Sequence, residues 1–321
     1  MSDFRSGFVA VVGRPNVGKS TLVNAMVGTK VTIVSPRPNT TRAQVRGVLN
    51  RPDAQVVFVD TPGLHKPKTV LGERMNESAT SSLDDVDAVV TLVEATGAVG
   101  PGDRMVLEHS VRRVRAMARA AALAAELSTR EEDAAEAGRP TLFVVVNKID
   151  RVGGDGVLGH LNAVSSVVDA LDAELGGEPV PVEYFPLSAA EGTGVPALVD
   201  ALVAVLPAGP RYYPEGMVTD VAEAFWVADL VREELLHRVA DELPHSIACR
   251  VTEWEWPRVR CEILVERDSQ KGIVIGKGGE TLKAVGTAVR EQMEPGAYLE
   301  LFVRVEKRWQ QREDQLDRLG L

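Results

Sequence analysis

The segment GRPNVGKST, residues 13–21, constrains the fold of this chain more than any other stretch. Gly13, Gly18, Lys19 and Ser20 match the pattern G-x-x-x-x-G-K-[S/T], after the apolar run FVAVV and before a helix-like stretch. In such a loop, backbone N–H groups converge on phosphate oxygens, the helix start adds partial positive charge, and the lysine reaches the β- and γ-phosphates. The segment therefore predicts a site for a nucleoside polyphosphate.

A second motif, Asn147-Lys148-Ile149-Asp150, directly follows the apolar run TLFVVV. The Asp150 carboxylate can accept hydrogen bonds from the N1–H and 2-amino groups of guanine, whereas adenine presents an acceptor at N1. An unpaired buried acceptor costs about 1 to 3 kcal/mol, which is enough to discriminate between the bases. The motif predicts a guanine nucleotide and disfavours an ATP-dependent kinase or motor.

A third motif, Asp60-Thr61-Pro62-Gly63, ends the run QVVFVD. There an aspartate can hold Mg²⁺ through water, and the Gly63 N–H can contact a γ-phosphate. The polar segment 35–44 occupies the position of a first switch, where Thr40 or Thr41 offers a hydroxyl to Mg²⁺, and we favour Thr41. The predicted metal ligands are Ser20, Thr41 and Asp60.

A weaker motif, Ser188-Ala189, opens the turn SAAEGTG and would direct backbone N–H groups at the guanine O6. An ordinary serine-glycine turn is the alternative for this pair. The predicted nucleotide-binding residues are Gly13, Asn16, Val17, Gly18, Lys19, Ser20, Thr21, Asp60, Gly63, Asn147, Lys148, Asp150, Ser188 and Ala189.

Short apolar runs alternate with segments long enough for helices over the first two thirds of the chain. The runs cover 8–12, 55–60, 86–93, 141–146 and 180–187. This alternation predicts an α/β domain with a mostly parallel sheet covered on both faces. A Pro- and Gly-rich stretch predicts a linker at 207–216. We therefore expect a nucleotide-binding domain at 1–206 and a second domain at 217–321.

The second domain is predicted to have the element order α-β-β-α-α-β. The elements are a helix at 217–240, strands at 246–254 and 258–266, two helices in 270–292 and a strand at 297–305. The charged stretch 306–320 is expected to form a short surface helix.

Between the two helices, Gly276-Lys277-Gly278-Gly279 matches the G-x-x-G turn that clamps the backbone of about four single-stranded nucleotides. A bare G-x-x-G is also common as a turn between helices, but with this element order it predicts an α+β KH domain of type II order. Ile273, Val274 and Ile275 are expected in the groove floor or the core. The predicted RNA-binding residues are Lys271, Gly276, Lys277, Gly278, Gly279 and Lys283.

Composition excludes several classes of protein. The net charge of −10 argues against a general nucleic-acid-coating surface, so any RNA contact must be local. No apolar run approaches the about 18 residues of a spanning helix, and MSDFRSG lacks the features of a signal peptide, so we expect a cytoplasmic protein. Cys249 and Cys261 are expected to be reduced core residues, and the histidines show no zinc spacing.

The Ala- and Arg-rich segment 103–138 fits this scheme less well. Its first half is basic and contains Arg112, Arg113, Arg115 and Arg119. Its second half is acidic and contains Glu131, Glu132 and Asp133. A solvated helical insertion is the favoured interpretation, and an RNA-contacting patch is the alternative.

Together these motifs resemble the Era family of translation-factor-related GTPases. The resemblance covers nearly the whole chain: GRPNVGKST, the TTR of the first switch, DTPG, NKID, the SA loop, the linker and the KH module. Segment 103–138 is longer than the family's usual helix. The resemblance implies a P-loop GTPase that uses GTP, GDP and Mg²⁺, and it implies binding to the 3′ end of small-subunit ribosomal RNA during 30S assembly.

Slow intrinsic hydrolysis is expected, because Leu64 stands where Ras-like enzymes place a water-positioning glutamine. Asn16 matches an asparagine that helps related GTPases bind potassium near the phosphates, which makes K⁺ a further candidate cofactor. The alternative is an asparagine that only shapes the loop. The predicted catalytic residues are Asn16, Lys19, Thr41 and Gly63.

The expected function is a GTP-hydrolysing switch that couples nucleotide state to single-stranded RNA binding. The alternative is a constitutive RNA-binding assembly factor with a largely structural nucleotide. We expect a monomer without a transmembrane segment and leave open a peripheral association with the inner face of the cell membrane.

Overall fold

The computed structural model describes residues 4–64, 67, 69–83, 85–127, 140–239 and 243–321. The described residues form two compact units. The first is drawn from 1–32, 44–65 and 76–220, and the second from 33–43, 66–75 and 221–321. The predicted limits of 1–206 and 217–321 stay a prediction. Residues 33–43, which include most of the predicted first switch at 35–44, group with the second unit.

A six-stranded sheet forms the first unit, in the order β2-β3-β1-β4-β5-β6. Neighbouring strands are parallel except β2, which pairs antiparallel with β3. The strands are β1 (Arg5–Gly13), β2 (Val45–Asn50), β3 (Ala54–Asp60), β4 (Ala88–Glu94), β5 (Leu142–Asn147) and β6 (Val182–Leu187). The structure thus confirms a mostly parallel sheet, and it adds β2, which the sequence did not predict.

Two apolar clusters cover the two faces of this sheet, because alternate side chains of the valine-rich strands point to opposite faces. Val9 and Leu22 belong to one cluster, and Val12 and Leu107 to the other. The helices are α1 (Lys19–Val27), α2 (Val70–Ser81), α3 (Pro101–Leu127), α4 (Gly154–Leu175) and α5 (Val195–Val205). α2 begins in the residues of the second unit and ends in those of the first.

The stretch predicted as a linker is hydrogen-bonded to the first unit. The Ser6 N–H donates to the Pro207 carbonyl at 3.1 Å, and the Val48 N–H donates to the Val218 carbonyl at 2.8 Å. The Gln55 side-chain oxygen accepts from the N–H groups of Tyr212 and Tyr213. Residues 207–220 are therefore fixed on the sheet, so they do not form a free tether.

α3 accounts for the described part of segment 103–138, and Glu131, Glu132 and Asp133 lie outside the described residues. Arg112 pairs with Glu108 one turn earlier. Arg115 is buried and pairs with Asp172 of α4 at 2.7 Å. These two arginines are engaged within the first unit, which favours the structural interpretation for both.

The second unit has the predicted elements in the predicted order, with one unpredicted short helix before the first strand, which therefore begins at Ala248 and not at 246. A three-stranded sheet lies at its centre. β7 pairs antiparallel with β8, and β8 pairs parallel with β9. The elements are α6 (Glu223–Arg238), α7 (Leu243–Ser246), β7 (Ala248–Glu255), β8 (Arg258–Val265), α8 (Asp268–Ile275), α9 (Glu280–Arg290), β9 (Tyr298–Val305) and α10 (Glu313–Leu319). Val231, Ile263 and Val285 are fully buried in its core.

The expectation of a C-terminal surface helix is wrong in one respect, because the end of the chain is partly core. Trp309 and Leu316 are fully buried, in a cluster with Leu71 and Ala248. The Trp309 indole N–H donates to the Ser246 carbonyl at 3.0 Å. The sequence did not reveal this burial because the stretch is mostly charged, and its buried face needs only one tryptophan and two leucines.

Cys261 is buried, Cys249 is half-buried, and both are free thiols, as expected. Hydrogen bonding to Cys249 and burial together raise the pKa of the Cys261 thiol well above its usual value. No helix within the described ranges combines the length and the apolar character needed to cross a membrane.

Candidate nucleotide-binding site

The loop between β1 and α1 has two residues with left-handed backbone conformations, and both are of types that tolerate this region. Asn16 and Gly18 have φ values of 65° and 101°. Glycine adopts the left-handed region without steric cost, and asparagine tolerates it better than most residues. A Cβ at Gly18 would collide with the Asn147 side chain, and one at Gly13 would lie 2.8 Å from Val17 Cγ2. Both motif glycines are therefore required by close packing.

Lys19 lies at the start of α1 with its side chain inside this loop. It is 6% exposed, and its Nζ donates to the carbonyls of Gly13 and Arg14, each at 3.1 Å. Burial lowers the pKa of Lys19 to about 8, and the nearby Asp60 charge partly offsets that effect. The ammonium group is thus held in a place where a phosphate would favour its charged form.

Asp60, at the end of β3, has a buried carboxylate that accepts hydrogen bonds from two hydroxyl groups. Its Oδ2 accepts from Ser20 Oγ at 2.7 Å and from Thr32 Oγ1 at 3.0 Å. Thr61 does not take part, since its hydroxyl donates to the Val11 carbonyl. Thr32 is a site residue that the sequence analysis missed, and it is 2% exposed.

The donor set at Asp60 fits Mg²⁺, which prefers oxygen ligands and binds through one or two carboxylates together with substrate phosphates. No group of three or more His, Cys, Asp or Glu side chains that could hold a metal exists among the described residues. A metal at Ser20 and Asp60 would therefore depend on phosphate oxygens as well. Thr41, the third predicted ligand, lies in segment 33–43 of the second unit.

The Asp60-Thr61-Pro62-Gly63 turn packs closely on the phosphate loop. A Cβ at Gly63 would lie 2.6 Å from the backbone nitrogen of Pro15. Only glycine leaves room for this approach, so the Gly63 backbone lies directly beside the loop. Leu64 follows it and is 6% exposed, packed in one of the two cores of the first unit. A buried apolar side chain here cannot orient water.

Asn147, at the end of β5, connects two loops through its amide. Its Nδ2 donates to the Val17 carbonyl at 2.7 Å, and its Oδ1 accepts from the Ala189 N–H at 3.0 Å. Lys148 donates to the Asn16 carbonyl at 2.8 Å and pairs with Glu94 at 3.0 Å. The predicted base-binding motif is thus joined directly to the phosphate loop.

Asp150 and the Ser188-Ala189 turn complete this edge of the sheet. Asp150 lies in the short 3₁₀ turn Ile149–Arg151, its side chain is 20% exposed, and Arg151 Nε is 3.9 Å away. The buried Ser188 hydroxyl accepts from the Glu191 N–H, which closes the turn. All predicted nucleotide-binding residues belong to the first unit.

The predicted RNA-binding residues belong to the second unit and surround the turn between α8 and α9. Gly276, Gly278 and Gly279 all have positive φ values, of 76°, 61° and 82°. Lys277 and Lys283 are exposed, and Lys271 is half-buried. The turn therefore presents glycine backbone beside positive charge.

The three apolar residues before this turn do not share one environment. Val274 is fully buried in the core, Ile273 is 56% exposed and Ile275 is half-buried. Helical geometry explains the split, because consecutive residues of α8 point in directions about 100° apart.

Comparison with known proteins identifies both units. A family model described as 50S ribosome-binding GTPase matches residues 8–148, and a KH domain model matches 242–310. The chain is 45% identical to GTPase Era of Mycobacterium avium strain 104 over a 332-residue alignment that covers all of both chains. It is 44% identical, with the same coverage, to GTPase Era of Mycobacterium tuberculosis strain H37Ra.

Two solved structures match over 99% of both chains at 33% identity. One is Era in complex with MgGDPNP and nucleotides 1506-1542 of 16S ribosomal RNA, with a TM-score of 0.83. The other is a variant of Aquifex aeolicus Era bound to GDP and AlF₄⁻, with a TM-score of 0.79. The similarity therefore extends over both units.

We expect the affinity for GDP to decrease as the pH rises above about 8, the pKa to which burial brings Lys19. A bound phosphate raises this pKa, so above pH 8 the protein must take up a proton in order to bind. The affinity is then highest below pH 8 and falls by up to about tenfold per pH unit above it.

Calorimetry between pH 7.5 and 9.0, in buffers of different ionisation enthalpy, measures this proton uptake directly. The lower part of this range is decisive, because the guanine N1 itself begins to lose its proton towards the upper end. A GDP affinity that stays constant across the range, with no proton uptake, would contradict the role given to Lys19.

Replacing Asp150 by Asn should exchange the base preference. The side-chain amide of asparagine can donate to the 2-carbonyl of xanthine, whereas it cannot accept both N–H groups of guanine. We expect Asp150→Asn to bind xanthosine diphosphate more tightly than GDP. The control is Asp155→Asn, an exposed position in the first turn of α4. If Asp150→Asn still prefers GDP, Asp150 does not bind the base.

Proposed function

The chain belongs to the Era family of GTPases, and we propose that it is a GTP-hydrolysing switch whose nucleotide state controls RNA binding by its KH unit. The observation that supports this most is the position of Asn147. One amide contacts the phosphate loop through Val17 and the Ser188 turn through Ala189. Phosphate and guanine would then be bound by parts of one connected structure.

In the proposed site, each residue has a distinct role during hydrolysis. Lys19 would neutralise the β- and γ-phosphate oxygens, and the Gly63 N–H would contact the γ-phosphate. Mg²⁺ would supply further neutralisation of phosphate charge, held by Ser20 and Thr41 and, through water, by Asp60. Asp150 would bind guanine. The Ala189 N–H, predicted to contact the guanine O6, instead donates to Asn147 Oδ1 and so connects the Ser188 turn to Asn147. Because Leu64 is buried, no side chain at that position orients the attacking water, so we expect slow turnover.

The RNA partner is proposed from the chemistry of the turn and from the relative's complex. Era has been crystallised with nucleotides 1506-1542 of 16S ribosomal RNA, and this chain matches that structure over 99% of its length. We propose the same 3′ region of the small-subunit RNA as the target, within the 30S subunit. The predicted contacts are Lys271, Gly276, Lys277, Gly278, Gly279 and Lys283.

Coupling between nucleotide and RNA is proposed to run through the segment 33–43, which groups with the KH unit. Arg232 of α6 donates to the Thr40 carbonyl at 2.6 Å, and Glu233 accepts from the Val34 N–H at 2.8 Å. Arg42 donates to the Ile247 carbonyl at 2.6 Å and lies over the Trp309 ring at 5.5 Å. Thr41 is therefore embedded in a segment that the RNA-binding unit holds.

If Thr41 binds Mg²⁺ beside the γ-phosphate, that binding must act on the segment 33–43, which is hydrogen-bonded within the KH unit. A ligand that favours one arrangement of the segment then changes the affinity of the other ligand, and the effect is reciprocal. This is the physical content of the proposed switch.

A constitutive RNA-binding factor with a structural nucleotide is the second candidate. Leu64 favours this candidate, because a buried apolar side chain stands where Ras-like GTPases have a water-positioning glutamine. The two functions differ in what Lys19→Ala does in cells. The switch needs Lys19 for function even when the fold and RNA binding are intact, whereas the second candidate does not.

We also propose that the protein acts as a monomer in the cytoplasm. Peripheral association with the inner face of the cell membrane is a separate expectation, which co-sedimentation with anionic vesicles would decide.

The RNA affinity should differ between the GDP form and the form with a non-hydrolysable GTP analogue, by about 5- to 150-fold if the coupling is typical. Arg232→Gln should reduce that ratio towards one, because it removes a charged hydrogen bond to Thr40. The matched control is Arg238→Gln on the same helix, whose partner is Glu234 one turn away. Binding of a ribosomal RNA 3′-end oligonucleotide measures both.

Equal RNA affinities in the two nucleotide states would contradict the switch. Arg232→Lys keeps the charge, so it should recover part of the ratio, and circular dichroism checks that each variant folds.

We expect hydrolysis to be faster in potassium than in sodium, and we propose that Asn16 is responsible. Its left-handed backbone and the hydrogen bond from Lys148 fix its carbonyl, and the residue is exposed in the phosphate loop. Asn16→Ala should abolish the difference between the two salts, measured as phosphate release at constant ionic strength. Equal rates in both salts for the unchanged protein would exclude the potassium role.

A further inference from the structure

Thr32 has a position that the nucleotide motifs do not explain. Its hydroxyl donates to Asp60 Oδ2 at 3.0 Å, the same oxygen that accepts from Ser20 at 2.7 Å. Thr32 is 2% exposed and Asp60 is fully buried, so both hydrogen bonds are shielded from water. Two hydroxyl donors on one carboxylate oxygen fix the rotation of the carboxyl group, which a single donor would leave freer.

The backbone of Thr32 is itself held in place by Asn24. The Asn24 side-chain oxygen accepts from the N–H groups of Val31 and Thr32 at 2.9 and 3.1 Å. Its side-chain nitrogen donates to the Thr32 carbonyl at 2.9 Å. Asn24 therefore holds both the N–H and the carbonyl of Thr32, which fixes the backbone that carries the Thr32 hydroxyl.

Asn24 and Ser20 lie on the same face of α1, because residues four apart on a helix are neighbours. One helix face thus supplies two donors to Asp60, directly through Ser20 and indirectly through Asn24 and Thr32. The arrangement is the kind of outer support that orients a ligating carboxylate in metal sites.

We propose that Thr32 is a positioning residue for Mg²⁺: its hydroxyl sets the orientation in which the Asp60 carboxylate meets the water shell of the metal. This inference rests on the proposed function, which places the metal at Ser20 and Asp60. The competing interpretation is that Thr32 merely satisfies a buried carboxylate and contributes to folding stability alone.

The two interpretations differ in metal affinity. The variant Thr32→Val keeps the shape of the side chain and removes the hydroxyl. A positioning role predicts that the Mg²⁺ dissociation constant of the GDP complex rises by about tenfold, the lower end of the usual effect of losing an outer partner of a metal ligand, because Asp60 meets the metal through water. Thr32→Ser keeps the hydroxyl and should restore the affinity to within about threefold of the unchanged protein on the same grounds.

The experiment is a calorimetric titration of Mg²⁺ into the full-length protein bound to GDP, followed by the Mg²⁺ dependence of GDP release. The matched control is Thr91→Val, a fully buried threonine of β4 whose hydroxyl donates to Ser110. If both valine variants lose similar thermal stability, only Thr32→Val should weaken Mg²⁺ binding. Should Thr32→Val fail to fold, Thr32→Ala carries the same expectation.

Asp60→Asn separates this inference from the proposed function. If Asp60→Asn weakens Mg²⁺ binding and Thr32→Val leaves it within about twofold, the role of Thr32 is overturned while the metal site stands. If neither variant changes the Mg²⁺ affinity, the metal site itself is wrong and both proposals fall.

Discussion

The two hydrogen bonds of the buried Asn147 amide are the interactions on which the proposed nucleotide site depends. Asn147 is 2% exposed, and its amide uses a donor on the phosphate loop and an acceptor on the Ser188 turn. A buried amide with one partner removed would leave a polar group unsatisfied, at a cost of about 1 to 3 kcal/mol. The two loops consequently keep a fixed relation, and a nucleotide that fits one end of the site must also fit the other.

A different constraint governs the segment between the phosphate loop and β2. Residues 33–43 group with the second unit and are hydrogen-bonded within it, and there Ile33 is 1% exposed and Arg42 is 7% exposed. Burial lowers the pKa of Arg42 to about 9, with the charge of Arg232 adding to the effect. Two cations buried close together are retained only because carbonyls and Asp229 offset them. Such an arrangement is sensitive to change, which suits a segment proposed to transmit a signal.

The sequence predicted the parts of the molecule whose chemistry is carried by short motifs. The phosphate loop, Asn147, Asp60 and the Gly276 turn could be predicted as site residues because few residue types permit their backbone or their hydrogen bonds. It did not predict β2, since Arg46 and Gly47 interrupt the apolar pattern of that edge strand. Thr32 was missed because a single hydroxyl in the run VTIV has no spacing signal. The burial of Trp309 and the grouping of 33–43 with the KH unit depend on contacts distant in the chain, which local patterns do not record.

The central claim is that the Asp150 carboxylate selects guanine, and that the Asn147 amide connects this base-binding motif to the phosphate loop. Equilibrium binding of GDP and ADP to the purified full-length protein tests it most directly. The account predicts a dissociation constant for ADP at least about a hundredfold above that for GDP, since a site built for N–H donors rejects a base that lacks them. Equal binding of the two nucleotides would contradict it.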